Sequence, residues 1–252
     1  MNASLPFDHL VLMLRDRLVE QAPAFEADGY TLTELSVHNL GSMNRLITLD
    51  SAYIELLGWP AGQPPARKEI ADSPMGPEAL VFRTPDAHAT HRRLQELGFK
   101  VNPVVSLQRP INVNGQAHTA RFETVRFAEQ PIEGFRVYFC QHLTPELVWN
   151  PESTRHANGA VALDRIVLCS AHAGQAAGVL ARLVDAPLSG AGPAAFKITL
   201  DNVVLEVRQR VGATVATIES VALRRHDGEV CAFETHVRPP ESVLESVKTA
   251  PL

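Results

Sequence analysis

One order of predicted elements, a strand followed by a helix and then by further strands, recurs three times along the 252-residue chain. The copies begin with the apolar runs FDHLVLML (7–14), EALVFRT (78–84) and ALDRIVLCS (162–170). Repetition of one supersecondary unit predicts copies that pack against each other, because a single unit leaves an apolar sheet face uncovered. The repeat therefore limits the chain to folds assembled from such units.

The first two copies each predict a βαβββ unit. Apolar residues at helical spacing in DRLVEQAPAFEADG and PDAHATHRRLQELGF predict helices that end at Gly29 and Gly98. The strand-like runs that follow are TLTELSVHN, NRLITL and AYIELLGW in the first copy, and VNPVVSLQRPI, TARFETVRFA and FRVYFCQHL in the second. Residues 58–77 and 142–159 are rich in proline and polar residues, which is typical of linkers.

The third copy is less regular. The helix AGQAAGVLARLVD follows its first strand, and AAFKITL and NVVLEVRQR predict a hairpin. The runs ATIESVALRRHD and CAFETHV supply one or two more strands, so a fourth copy is partial at best.

The predicted fold class is α+β, with repeated βαβββ units that form curved, half-open β-barrel sheets and helices packed outside. Two units, at about 5–60 and 76–146, make a first domain over residues 1–150. Residues 160–252 hold the third unit and the C-terminal strands, as a degenerate second half. Two units side by side leave a cleft on their concave face, where small ligands commonly bind.

Composition excludes several classes of partner. The formal net charge of −5 and the sequence pI of about 6.1 argue against nucleic acid or an anionic membrane as a partner. No apolar run reaches the roughly 18 residues of a transmembrane helix. The three cysteines are widely spaced and odd in number, which favours free thiols in a reducing cytoplasm. We expect a cytoplasmic protein with a small-molecule ligand and a possible homodimer formed through strand edges.

Glu55 is an unexpected carboxylate in the apolar strand AYIELLGW. Alternation places Tyr53 and Glu55 on one face. His9 lies in the first strand of the same unit, and imidazole with carboxylate is good ligand chemistry for Zn, Mn, Fe or Ni. The alternative is a solvent-facing Glu55 and a His9 that is hydrogen-bonded at a strand start.

A polar segment between two strands supplies further candidates. His38, Asn44 and Arg45 flank Gly41 and could each hydrogen-bond a ligand carbonyl or carboxylate. The alternative is a structural loop in which Asn44 caps a turn.

The second unit ends on Gln141 and His142, shortly before Trp149. His142 could be a third metal ligand, a general base, or a histidine satisfied at a strand end. Arg121 and Glu123 alternate along their strand and face either the cleft or solvent. No GxSxG, GxxxxGK[ST] or HExxH motif is present.

The repeated unit, with FDHLVL in its first strand and AYIELLG in its last, resembles the vicinal oxygen chelate superfamily. This group includes glyoxalase I and the extradiol dioxygenases. The segment with His38, Gly41-Ser42-Met43-Asn44 and Tyr53-Ile54-Glu55-Leu56, together with QHLTPELVW, is similar to its glyoxalase-like branch. The resemblance covers residues 5–150 and, more loosely, 160–210.

The resemblance implies metal ligands on the first and last strands of each unit. His9 and Glu55 match these places in the first unit. In the second unit ALVF offers no histidine, while the last strand offers Gln141 or His142. In the third unit Asp164 and Glu206 stand near the two places, as a second site or as a vestige.

The resemblance also implies a function. It predicts a metal-assisted enzyme of lyase or isomerase type, in which His9, Glu55 and His142 hold a divalent ion. His38, Asn44, Arg45 and Glu55 would serve catalysis, and the substrate would contact His38, Asn44, Arg45, Tyr53, Arg121, Gln141 and Trp149. A ring-cleaving dioxygenase and a metal-free small-molecule-binding protein are the alternatives.

Overall fold

The computed structural model describes residues 4–37, 41–113 and 115–237. The first unit contains β1 (Phe7–Arg15), α1 (Leu18–Ala27), β2 (Ser36–Val37), β3 (Met43–Thr48) and β4 (Tyr53–Gly58). A short helix α2 (Lys68–Ala71) precedes the second unit, which contains β5 (Gly76–Arg83), α3 (Ala87–Glu96), β6 (Val105–Val113), β7 (Gln116–Arg126) and β8 (Arg136–His142). The third contains β9 (Ala160–Ser170), α4 (Ala173–Val184), β10 (Leu188–Gly192), β11 (Ala195–Thr199) and β12 (Val204–Gln209), followed by β13 (Thr217–Arg225) and β14 (Val230–Ala232).

The first two units share one eight-stranded sheet in the order β2-β3-β4-β1-β5-β8-β7-β6. Within each unit the first and last strands are parallel neighbours, and β1 and β5 join the units in antiparallel register. Leu10 pairs with Leu80 at the centre of this joint, with His9 opposite Val81 and Val11 opposite Ala79. An approximate twofold axis therefore relates the units and makes Ala79 the counterpart of His9.

The two edges of this sheet approach each other, so the sheet is curved into a nearly closed barrel. The Ser36 hydroxyl on β2 donates a hydrogen bond of 3.2 Å to the Pro110 carbonyl on β6. A strongly curved sheet of this kind encloses a space on its concave side, where side chains from several strands converge.

The remaining strands form a six-stranded sheet in the order β10-β11-β12-β9-β13-β14. Apolar residues on its convex side, such as Ile166 and Leu205, join one core with the convex side of the first sheet, including Phe82 and Phe139. Helices α1, α3 and α4 contribute to the same core, so they lie on the convex faces. The concave face of the first sheet carries a separate apolar cluster around polar groups.

The predicted fold class is confirmed, although several elements differ from the sequence-based expectation. Strand β10 has the sequence LSGAG, which offers one large apolar residue and no strand pattern. The predicted run TLTELSVHN gives only the two residues of β2, and the part at 38–40 lies outside the described residues. The linker 58–77 contains α2. No helix in the described part of the chain is long and apolar enough to cross a membrane.

Gly58 at the end of β4 is expected to tolerate no side chain. A Cβ there would lie 2.2 Å from the Arg15 carbonyl oxygen and 2.7 Å from Leu18 Cβ, and that carbonyl accepts the Trp59 amide at 3.0 Å. We expect Gly58→Ala to lower the free energy of unfolding by about 2 kcal/mol or more, because the backbone at Arg15 must move to make room for the added Cβ. Chemical denaturation would measure this change.

Gly178 provides the matched control. It lies inside α4, where an added Cβ meets no atom within 4 Å. Gly178→Ala should therefore stabilise the protein by about 0.5–1 kcal/mol through helix propensity. Equal effects of the two variants would show that crowding at Gly58 does not limit the fold.

Candidate functional site

A β-bulge in β1 brings two neighbouring polar residues to the concave face. The pairing of β1 with β5 passes from Phe7 to His9 and skips Asp8. Neighbouring residues of a regular strand point to opposite faces, whereas a bulge can turn both the same way. The Asp8 and His9 side chains are thus close enough for His9 Nδ1 and Asp8 Oδ2 to lie 2.8 Å apart.

His9 is buried, and each of its two ring nitrogens lies within hydrogen-bond distance of another side chain. Its Nε2 lies 3.0 Å from the Tyr138 hydroxyl, and its ring stacks on Tyr53 at 4.3 Å between centroids. An ionised carboxylate only accepts hydrogen bonds, so Asp8 fixes the Nδ1–H tautomer of the neutral ring. The Nε2 lone pair therefore faces the concave side.

Glu55 meets His9 because β1 and β4 are parallel neighbours. His9 pairs with Tyr53 and Val11 pairs with Glu55, so the two functional side chains lie on the same face. Glu55 Oε2 is 3.7 Å from His9 Nε2. The Asn44 amide donates to Glu55 Oε1 at 2.5 Å and accepts from Arg109 Nη1 at 3.2 Å. Asn44 thus links a carboxylate to an arginine.

These groups line a cavity of about 110 Å³, which is enough for a small molecule. Its wall includes one carboxylate, that of Glu55, and four arginines: Arg67, Arg109, Arg126 and Arg136. The chain as a whole carries a net charge of −5, so the charge of the cavity wall is opposite in sign to the net charge of the protein. Such a local field favours anionic ligands.

Two of the four arginines have their own carboxylate. Arg67 pairs with Glu69 at 2.8 Å, and Arg136 donates two hydrogen bonds to the buried Glu78. Burial disfavours the charged form of Arg136, but the hydrogen bonds and the charge of Glu78 raise its pKa above the ordinary value. The positive charge of Arg136 is therefore balanced by the negative charge of Glu78.

The hydroxyl and thiol groups of the cavity stay protonated. Burial, followed by the charge of Glu55, raises the pKa of Tyr138 well above its ordinary value. Burial, followed by the charge of Asp8, does the same for the pKa of the Cys140 thiol and of Tyr53. Tyr138 is therefore a hydrogen-bond donor at neutral pH and not a phenolate.

Two ligand atoms of this site could together hold one divalent ion. His9 Nε2 and Glu55 Oε2 are near enough to bind one ion, and the Asp8 contact to Nδ1 is the usual outer support of a metal-binding histidine. The twofold axis places Ala79 and Tyr138 at the matching positions of the second unit. Ala79 supplies no ligand and Tyr138 a protonated phenol, so the other coordination positions would fall to water or ligand oxygens.

A second group of potential ligands lies beside the first. Asp8, Cys140 and His142 offer atoms within 4.8 Å of one another. Asp8 is fully buried and already accepts from His9, from His142 Nε2 at 2.9 Å, and from Arg83 Nε at 2.7 Å. Burial opposes ionisation, but the charges and hydrogen bonds of His142 and then His9 lower the pKa of Asp8 well below its ordinary range. The cluster is thus a hydrogen-bonded network as it stands.

Several predicted site residues lie elsewhere. His142 binds Asp8 and does not join the His9–Glu55 pair. The Arg45 guanidinium lies on the other side of β3, where it donates to the Thr33 carbonyl and to Glu26. Arg121 is exposed because the neighbouring residue Phe122 occupies the concave face. His38 lies outside the described residues.

Gln141 and Trp149 line a separate depression with His142. The Gln141 side-chain oxygen accepts the Ala87 amide at the start of α3, and Trp149 Nε1 donates to the Leu49 carbonyl. Their side chains are therefore bound to the backbone and do not reach the cavity of His9.

The third unit replaces the histidine by arginine. In the pairing of β9 with β12, Arg165 stands opposite Val204 as His9 stands opposite Tyr53, so Arg165, and not Asp164, is the counterpart of His9. Arg165 lies 3.7 Å from Glu206, which also accepts from Arg208 at 2.7 Å. Asp164 pairs with Arg224. Ion pairs thus occupy these positions.

Sequence reasoning missed the arginines and Tyr138. Alternation in RVYFCQH sets Tyr138, Cys140 and His142 on one face, and the register of β8 was the missing information. Arg67 lies in a segment that the sequence marks only as a linker, so no local pattern reveals its role.

The comparisons with known proteins place this geometry in a wider group. A family model described as a glyoxalase-like domain matches residues 7–184. A crystal structure of a hypothetical protein from Staphylococcus aureus is similar over 91% of this chain and 99% of its own, with a TM-score of 0.69 at 15% identity. No curated protein matches the chain.

Two other solved structures are of proteins with a named activity. A triple mutant of 4-hydroxymandelate synthase from Streptomyces coelicolor is 14% identical, with a TM-score of 0.51, over 82% of this chain and 63% of its own. A xylose isomerase-like TIM barrel/4-hydroxyphenylpyruvate dioxygenase fusion protein is 11% identical, with a TM-score of 0.57, over 88% and 37%. At these identities the likeness shows the fold alone.

Proposed function

Because the chain belongs to the glyoxalase-like domain family of the vicinal oxygen chelate superfamily, we propose that it is a metal-assisted enzyme for a small, oxygen-rich substrate. The observation that carries this proposal is the buried His9–Glu55 pair, 3.7 Å apart at the wall of an arginine-lined cavity. Lyase or isomerase chemistry fits this pair best, because it requires charge stabilisation and proton transfer at a single centre.

His9 Nε2 and Glu55 would hold the ion. When bound, a divalent ion supplies Lewis-acid stabilisation of negative charge on a substrate oxygen. Asp8 keeps the Nε2 lone pair of His9 directed into the cavity, and the Asn44 amide orients the Glu55 carboxylate. Tyr138, held in its protonated form, can donate its hydroxyl to a substrate oxygen.

Ring-cleaving dioxygenation has less support. Its usual iron site needs two histidines and one carboxylate with open positions. Among the described residues, His9 is the one histidine that lines this cavity. One structural neighbour is a fusion protein that contains a 4-hydroxyphenylpyruvate dioxygenase, and it supports this alternative only through the shared fold.

A metal-free binding protein is the second candidate. Two observations favour it: Ala79 stands where a second-unit ligand would be, and the Tyr138 hydroxyl already binds His9 Nε2. A bound ion would have to displace that hydroxyl, because both need the same lone pair.

Metal reconstitution tests the proposal. We expect stripped protein to take up about one Zn, Mn, Ni or Fe(II) ion per chain, measured by elemental analysis after desalting. His9→Ala should weaken binding by at least about tenfold, since it removes one of two strong ligands. His118→Ala, an exposed change on β7, is the control.

The same experiment separates the two clusters. Uptake that survives His9→Ala but is lost in His142→Ala would assign the ion to Asp8, Cys140 and His142 and overturn the proposed centre. Failure of all four metals to bind would overturn metal assistance and leave the binding protein.

A further inference from the structure

Arg109 is a buried cation without a carboxylate of its own. The residue is 5% exposed, and its guanidinium contacts the Asn44 amide oxygen and the face of the Phe122 ring. Within the described part of the chain it forms no ion pair, in contrast to Arg136. Burial lowers the pKa of Arg109, although the guanidinium remains charged at neutral pH.

Arg126 is in a similar position on the neighbouring strand. It shares the concave face of β7 with Phe122 and Thr124, and all three line the cavity. Its guanidinium has neither an ion pair nor a side-chain hydrogen bond to any residue that the structure describes. Burial, followed by the charge of Arg67, lowers its pKa. The charges of Glu55 on Arg109 and of Glu69 on Arg126 act in the opposite direction, but neither guanidinium forms an ion pair with a described residue. The cavity therefore holds two guanidinium groups without a direct carboxylate partner.

Such an arrangement is unfavourable without a further partner. A buried charge requires a partner and hydrogen bonds, or it destabilises the fold. The planar fork of arginine suits two-point binding of carboxylate or phosphate oxygens. Glu55, the carboxylate in the cavity wall, is held by Asn44, which also accepts the hydrogen bond of Arg109. The missing partner of the two arginines is thus an anion from outside the chain.

We propose that Arg109 from β6 and Arg126 from β7 form a clamp for the oxyanion groups, carboxylate or phosphate, of the ligand that occupies this cavity. This inference rests on the proposed function only in taking that ligand to be the substrate. The clamp would set the charged end of the substrate beside Asn44 and leave its remaining oxygens toward His9 and Glu55. A cavity of about 110 Å³ restricts the ligand to a small molecule.

Anion binding to metal-free protein tests the clamp. Malonate and inorganic phosphate serve as the two probes, with chloride at equal ionic strength as the reference, in calorimetry and thermal-shift titrations. We expect at least one probe to bind with a stoichiometry of about one. Arg109→Gln and Arg126→Gln should each weaken that binding by at least about tenfold, because each removes one charge-assisted fork. Arg92→Gln, on the exposed side of α3, should leave it unchanged.

The stability of the unliganded variants distinguishes a clamp from a structural role. Since neither arginine has a carboxylate partner, Arg109→Gln should leave the melting temperature of the unliganded protein unchanged or raise it. A lowered melting temperature without any anion binding in the wild type would show that Arg109 only supports the fold, and would overturn the clamp. Binding of phosphate alone or of malonate alone would support the clamp and identify its oxyanion.

His9→Ala keeps the two proposals separable. This change removes the proposed metal site but leaves both arginines in place, so anion binding should persist within about twofold. In the wild-type protein, anion binding with no metal uptake would support the clamp and overturn the metal-assisted function. Metal uptake without binding of either anion would do the reverse.

Discussion

Replacing Asp8 by asparagine is expected to lower the free energy of unfolding by about 3–5 kcal/mol at pH 7, because it breaks a buried charged network. The Asp8 side chain is fully buried and accepts hydrogen bonds from His9, His142 and Arg83. Asparagine has a similar shape, but its amide group would face a donor and its charge is absent. Equilibrium denaturation in urea would measure the change.

The size of this effect should depend on pH. The pKa of Asp8 in the folded protein lies below its value of about 3.9 in the unfolded chain, so its ionised form stabilises the fold at all pH values above about 4. Below that pH the difference between wild type and Asp8→Asn should shrink by about 1.4 kcal/mol per pH unit, as protons bind the unfolded chain first. Denaturation at pH 7, 4 and 3 tests the slope.

Asp16→Asn is the matched control for Asp8→Asn. It makes the same chemical change at an exposed residue just after β1, so the stability should not change. An effect of Asp8→Asn below about 1 kcal/mol, or one that is constant from pH 7 to pH 3, would contradict the assignment of an ionised, network-forming Asp8.

Replacing Glu78 by glutamine is expected to destabilise the protein by about 3 kcal/mol. Glu78 stands in β5 where Asp8 stands in β1, and it accepts from Arg136 Nη2 at 2.6 Å and from the Ser73 hydroxyl at 2.9 Å. The neutral amide would leave Arg136 as a third arginine without an ion pair at the cavity. Thermal and urea denaturation would report the loss.

A double-mutant cycle isolates the Glu78–Arg136 interaction. Because the Arg136→Met change removes the unpaired cation, Glu78→Gln combined with Arg136→Met should be more stable than Glu78→Gln alone. The exposed pair Lys100–Glu129 provides the comparison, and Glu129→Gln should leave the stability unchanged. Additive effects at positions 78 and 136 would show that the pair is not coupled.

Much of the fold follows from the sequence because repetition is a local pattern with a global consequence. Three runs of strand, helix and strands predicted three units, and the observed sheets contain them. Strand β10 could not be predicted, since Leu188 is its single large apolar residue and pairing with β11 stabilises it. Similarly, the β1 bulge at Asp8 depends on the register with β5, which no local pattern encodes.

The site was predictable in part. His9 and Glu55 come together because the first and last strands of a unit are parallel neighbours, as the repeat implied. The period of two along MNRLIT already separates Asn44 from Arg45, and only Asn44 faces the cavity. By contrast, Arg109 meets Asn44 because the sheet curves until β6 lies opposite β2, and Arg126 enters the site through the register of β7 with β8, where it pairs with Tyr138. That closure is a tertiary property, so the arginines could not be assigned from their strands.

The Arg165–Glu206 pair has a consequence for how the copies can diverge. Glu206 has two arginine partners, Arg165 at 3.7 Å and Arg208 at 2.7 Å, so the loss of Arg165 alone still leaves Glu206 paired. Under the proposed function His9 and Glu55 have no such freedom, because the ion would need both of them as ligands. The first copy would therefore have to keep its two ligand residues, whereas the third copy has to keep only a balance of charges. Substitutions at the third-copy positions would then leave the first-copy site unchanged.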